Sequence, residues 1–145
     1  MAIATYAMGC FWGSQDLFEG VPGVLATEVG FANGERDDVE EAVVFSGDAG
    51  HAEVVVVTYD ERQIGYGDLL GLFWENHNPT GEQRSIVRSA LIVHNDEQRC
   101  AAEASVAERR GGGARTTVEE AGRYWRASDG AQHYLARQRQ AEAAE

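Results

Sequence analysis

The chain has 145 residues, 43% of them hydrophobic, and a formal net charge of −12 at pH 7, enough material for one enclosed core and too little for two comfortable ones. A sequence pI near 4.7 argues against nucleic acid and against an anionic membrane surface as partners. There is no apolar run long enough to span a bilayer and no basic start followed by an apolar stretch, so the expectation is a single domain over residues 1–145, acting in the cytoplasm with no membrane segment.

The elements follow in chain order. "AIATYAM" (Ala2 to Met8) predicts a buried strand ending at Gly9, and Phe11 to Glu19 places Phe11, Trp12, Leu17 and Phe18 near helical spacing before a stop at Gly20 and Pro22-Gly23. Val24 to Phe31 is β-rich, and Ala52 to Tyr59 carries the valine run of a buried strand, with a connector of uncertain form over Glu40 to Gly50. Gly67 to Asn76 predicts a helix with an apolar face, ended by Pro79 and Gly81. Ser89 to Val93 reads as a strand, and Asp96 to Arg110 as a helix with Asn95 as its N-cap and two acids in its first turn. "RRGGGAR" is a link, Thr116 to Glu120 adds a strand, and the tail beyond Tyr134 is a helix end or a frayed terminus. The order β-α-β-β-α-β matches a ferredoxin-like α+β two-layer sandwich with C-terminal additions.

The chain has two cysteines, too few for a disulfide framework, and a reducing compartment would keep them as thiols. One of them, Cys10 in "MGCFWG", falls where the first strand hands over to a helix. Backbone N–H groups and the helix dipole at such a place favour a thiolate, which suits nucleophilic attack. In "SGDAGHAEVVVV", His51 and Glu53 are two apart, so on a strand they face one side at the start of a run built for burial. A desolvated carboxyl there tends to hold its proton and can act as a general acid. A thiolate that attacks while a carboxylic acid protonates a departing oxygen is the chemistry this pairing suggests, with Phe11 and Trp12 as walls for a small apolar group.

These residues resemble the peptide methionine sulfoxide reductase A family, whose signature Gly-Cys-Phe-Trp-Gly stands at Gly9 to Gly13. The similarity continues through Gly23 to Phe31, Ser46 to Val55, Tyr59 to Thr80, Arg88 to Leu91 and Thr116 to Trp125. It implies that Cys10 attacks the sulfur of a methionine S-sulfoxide, free or in an oxidised peptide, that Glu53 protonates the oxygen, and that Phe11 and Trp12 hold the methyl group. Cys10 would be left as a sulfenic acid and be reduced by an external thiol such as thioredoxin or a small thiol, with no cofactor and no metal.

The pattern departs from the family at three places. Glu41 falls about where the family has a tyrosine that helps bind the sulfoxide oxygen, and "GEQRSIV" (Gly81 to Val87) replaces a longer stretch that supplies an aspartate and a second tyrosine. Ser14 and Gln15 stand where a small residue and a glutamate are common. Cys100, on the last long helix, is read as a packing residue, with resolution of Cys10 as its other role; His77 either orients a turn or lines the pocket. Three alternatives remain: the same thiol chemistry on another small sulfur oxide, a ligand-binding or oxidant-sensing homologue of low activity, and a metal site built on His51-x-Glu53.

Overall fold

The computed structural model describes residues 1–33, 51–80, 86 and 88–143. In chain order these form β1 (Ala2–Met8), α1 (Phe11–Glu19), β2 (Val24–Ala32), β3 (Ala52–Tyr59), α2 (Tyr66–Glu75), β4 (Ser89–Val93), α3 (Asp96–Arg109), β5 (Thr117–Glu120), β6 (Tyr124–Arg126) and α4 (Tyr134–Ala143). The predicted elements stand within a residue or so of their expected bounds, and the tail resolves into a helix. β6 is an addition; three residues are too few to display an alternation.

The strands make one mixed sheet in the order β5-β4-β1-β3-β2-β6. β1 runs antiparallel to β3 and β4, β2 runs antiparallel to β3 and β6, and β4 pairs with β5 in parallel. Alternation divides the strand residues between two faces. Tyr6, Val29, Phe31, Val55, Val57, Leu91 and Val93 lie on the face that packs beneath Phe11 and Phe18 of α1, Leu69 and Phe73 of α2 and Ala102 and Val106 of α3. The opposite face gathers Ala7, Ala32, Ala52, Val54, Ala90 and Ile92. Four alanines on one side of a sheet let it bend toward that side, because little side-chain volume resists the approach of the strands.

The bend is large. Six strands laid flat would put the outer two roughly 24 Å apart at the usual strand spacing. Yet only Ala121 to Arg123 link β5 to β6, a segment that spans at most about 14 Å when fully extended. The sheet therefore rolls until its outer corners approach. Asn33, just past the end of β2, closes the roll: its Nδ2 donates to the Glu120 carbonyl at 3.0 Å and to Glu119 Oε1 at 3.1 Å, and its Oδ1 accepts the Gly122 N–H at 2.9 Å. Asn33 has φ 60°, a left-handed conformation that asparagine tolerates better than most residues.

Two side chains replace missing ladder bonds at the β2 edge. Where β6 ends, Gln132 Oε1 accepts the Val29 N–H at 2.9 Å and Gln132 Nε2 donates to the Val29 carbonyl at 2.7 Å. Gln15 of α1 accepts the His133 N–H at 2.7 Å and donates to Thr27, tying the first helix to β2 and to the start of α4.

Candidate active site

β1 ends at Met8, and Gly9 turns the chain with φ 88°, a value that suits glycine. Cys10 follows as the N-cap of α1, exposed, with no side-chain capping bond. The strand-to-helix junction expected from "MGCFWG" is therefore present, and the thiol sits beside the unsatisfied N–H groups of a helix start.

Glu53 arrives from β3, directly opposite Phe31 of β2. Its carboxylate Oε1 accepts the Phe11 N–H at 3.4 Å, which brings the acid to the first turn of α1, one residue from Cys10. Glu53 is 9% exposed. Burial pushes its carboxyl above the ordinary glutamate range, and the Phe11 N–H offsets part of that rise. A helix start thus holds one end of the acid while burial favours its protonated form.

The backbone of Glu53 is held separately. The β1–β3 ladder closes with Tyr6 opposite Val55, and beyond it the Glu53 N–H donates to the Ile86 carbonyl at 2.9 Å.

Aromatic rings pack around the helix start. Phe11 is buried and tilts against Phe31, with centroids 5.5 Å apart. Trp12 is 38% exposed and stacks on Tyr134 with centroids 4.0 Å apart. Trp125 of β6 lies opposite Phe31 and receives the buried His51 ring edge-on at 4.5 Å. Cys10, Phe11, Glu53, His51, Phe31 and Trp125 are thereby gathered at one end of the helix-bearing face.

His77 and Cys100 have other surroundings. The His77 ring bonds the Phe73 carbonyl through Nδ1 at 2.6 Å and Ser89 Oγ through Nε2 at 2.7 Å, joining the end of α2 to β4. Burial lowers its pKa below the ordinary histidine range, with the Phe73 bond acting the other way. Cys100 is exposed on α3, two residues after Gln98, whose Nε2 donates to the Ile3 carbonyl at 2.8 Å. Ile3 lies near the start of β1 and Cys10 two residues past its end at Met8; the strand from Ile3 to Met8 alone covers about 17 Å, which puts the Cys100 turn of α3 at the opposite end of β1 from Cys10. Glu41 and the segment 81–85 with Val87 lie outside the described residues. Among the described residues no three His, Cys, Asp or Glu side chains converge as a metal site, and no helix is long and apolar enough to cross a membrane.

The contributions of Tyr134 and Trp125 were not foreseen as site residues. Both come from the C-terminal quarter, and nothing in their local sequence points to the first helix or to β3.

The family model described as peptide methionine sulfoxide reductase matches residues 2–144. The chain belongs to this family. A peptide methionine sulfoxide reductase MsrA from Salinispora arenicola is 45% identical over 147 aligned positions, covering 92% of this chain and 67% of that protein. One from Methanoculleus marisnigri is 41% identical, covering 92% of this chain and 88% of its own. Among solved structures, Mxr1 of Saccharomyces cerevisiae in its reduced form superposes with a TM-score of 0.88 at 27% identity, over 96% of this chain and 86% of that one. The same yeast protein in complex with Trx2 superposes with a TM-score of 0.68 at 25% identity, over 92% of this chain and 84% of that one. In this methionine sulfoxide reductase family member, Cys10 and the Glu53 carboxyl meet at the start of α1.

Proposed function

We propose that this chain reduces methionine S-sulfoxide, free or in an oxidised peptide, to methionine through a sulfenic acid on Cys10. The observation that carries the reading is the bond from the Phe11 N–H to Glu53, which fixes a buried carboxyl beside an exposed thiol at a helix start.

The Cys10 thiolate attacks the sulfoxide sulfur from the helix start. Glu53 gives its proton to the oxygen as charge develops there. The oxygen passes to the Cys10 sulfur, methionine departs, and Cys10 is left as a sulfenic acid. Trp12 and Phe11 hold the methyl group while the exposed rim of Trp12 admits the rest of the substrate. One external thiol then condenses with the sulfenic acid, releasing water and forming a mixed disulfide, and a second thiol reduces that disulfide to restore Cys10. The placement of Cys100 at the far end of β1 favours an external resolving thiol, and the yeast relative seen with Trx2 makes a thioredoxin-like protein the natural choice. No metal or organic cofactor enters any step. Residues 1–145 are read as one domain, with the β4-β1-β3-β2 part of the sheet and its helices as the ferredoxin-like portion, at work in the cytoplasm.

The test is consumption of each epimer of a blocked methionine sulfoxide with dithiothreitol over a range of salt. Loss of the S-epimer alone, abolished in Cys10→Ser, is the expected result. Absence of turnover at every salt concentration would overturn the reading.

A further inference from the structure

We propose that the Arg88–Glu119 ion pair is a positioning device for Glu53, acting through the main chain at Ile86. The role rests on the reading of Glu53 as the proton donor.

Three observations carry it. The Glu53 N–H has left the β1 ladder and is held by the Ile86 carbonyl, so the strand bearing the acid is seated on the segment just before β4. Two residues after Ile86, the Arg88 guanidinium grips Glu119 with both arms, Nε to Oε2 at 2.9 Å and NH2 to Oε1 at 2.8 Å. Glu119 is itself fixed, because Thr117 Oγ1 donates to Oε2 at 2.7 Å and Asn33 Nδ2 to Oε1 at 3.1 Å. A planar two-point contact specifies orientation as well as distance. The chain of contacts runs from β5 to Arg88, which stands two positions after Ile86 in the sequence, and from the Ile86 carbonyl across to the backbone of Glu53, whose carboxylate is held at its other end by Phe11. Asn33 draws in the end of β2, two residues beyond Phe31, the cross-strand neighbour of Glu53. Neither Arg88 nor Glu119 belongs to the set of residues assigned to the reacting atoms.

A shift of about 1 Å in a catalytic group can cost about a hundredfold in rate, so loosening this clamp acts on turnover more than on binding. Among the described residues, the titratable groups beside Glu53 are Cys10 at the α1 start and His51 two residues back on its own strand, and neither is altered by changes at Glu119.

The experiment compares Glu119→Gln and Arg88→Lys with Glu120→Gln, whose carboxylate on the same strand pairs with Arg99. Turnover of the S-sulfoxide, its pH profile and hydrogen exchange at the Glu53 amide are measured below the unfolding range of each variant. Glu119→Gln and Arg88→Lys are expected to lose tenfold or more in kcat with KM within twofold. Their alkaline limb moves to lower pH because a loosened Glu53 is better hydrated, and the Glu53 amide exchanges faster. Glu120→Gln keeps the parent values. Unchanged kcat, pH limb and exchange in both clamp variants would overturn the proposal. Should Glu119→Gln fail to fold, Thr117→Ala removes one bond to the same carboxylate and carries the same readouts. Parent-like turnover in Glu53→Gln would overturn the proton-donor reading instead, while amide exchange at residue 53 would still report on the clamp.

Discussion

The rings of Trp12 and Tyr134 lie face to face, with centroids 4.0 Å apart and planes inclined by 16°. Tyr134 opens α4, and that helix is pinned to α1 by Arg139, whose NH2 and NH1 reach the Asp16 carboxylate at 2.6 and 3.1 Å. One face of the indole is thus covered by the protein while the remainder is exposed, the rim that the proposed mechanism assigns to substrate. Tyr134→Ala is expected to raise KM for the S-sulfoxide by about two- to tenfold, the worth of one aromatic pair, with kcat within twofold. Tyr134→Phe keeps the stack and the parent KM. Steady-state kinetics on the two variants checks this, and Trp12 emission reports loss of the stack independently.

Glu53 gives a pH signature in stability as well as in rate. Its folded pKa is raised above the ordinary 4.5 by burial, so the folded chain keeps a proton that the unfolded chain has released. Stability contributed by this site is complete below the unfolded value and falls as pH rises through the folded one. Glu53→Gln is therefore expected to raise Tm at pH 8 relative to the parent, and to leave it nearly unchanged at pH 3.5. The same variant should lose about a hundredfold or more in kcat, the usual worth of a general acid. Thermal melts at the two pH values and turnover near neutrality test both halves.

Gln132 stands in for a strand at the β2 edge. Removing its amide leaves the buried Val29 N–H without its partner, while the Ala127 carbonyl keeps the Arg126 guanidinium as a donor. Gln132→Leu, close in size, is expected to cost about 1 to 3 kcal/mol, the penalty for stranding one buried N–H. Urea unfolding at constant m-value provides the measure. A change under 0.5 kcal/mol would show that water replaces the amide.

Tyr6 is fully buried, stacked on Phe18 with centroids 5.2 Å apart, and its hydroxyl has no hydrogen-bond partner among the described residues. Burial raises the Tyr6 pKa well above the ordinary tyrosine value, so the group stays neutral throughout the working range. Tyr6→Phe keeps the stack and deletes the stranded hydroxyl. It is expected to stabilise the fold by about 1 kcal/mol, read as a higher urea midpoint.

The helices and central strands were legible because each carries its own local signal. β3 announces itself in "VVVV", α3 in an Asn95 cap that accepts the Gln98 N–H at 2.8 Å, and α1 in the glycine before Cys10. The placement of Glu53 was half legible: its strand and face follow from period two, whereas its seat on Ile86 depends on where β1 stops. The curl of the sheet had no local sign. It arises from Ala7, Ala32, Ala52 and Ala90 meeting on one face, and those four residues come from four strands. Tyr134, Gln132 and the Arg88–Glu119 pair escaped for the same reason, since each matters only through a residue far away in sequence.

Both borders of the sheet, β5 and β6, come from the stretch between Thr117 and Arg126, so among the described residues they emerge after the other four strands during synthesis. Until then a nascent chain that has paired β1, β2, β3 and β4 offers the free flanks of β2 and β4, each with open N–H and C=O groups ready to recruit a neighbour. The short turn from Ala121 to Arg123 delivers both borders almost together, so the interval of risk closes in a single event. Chains that stall before Thr117 are the ones expected to associate with one another, and a holdase that shields bare strand edges would serve this protein at that moment.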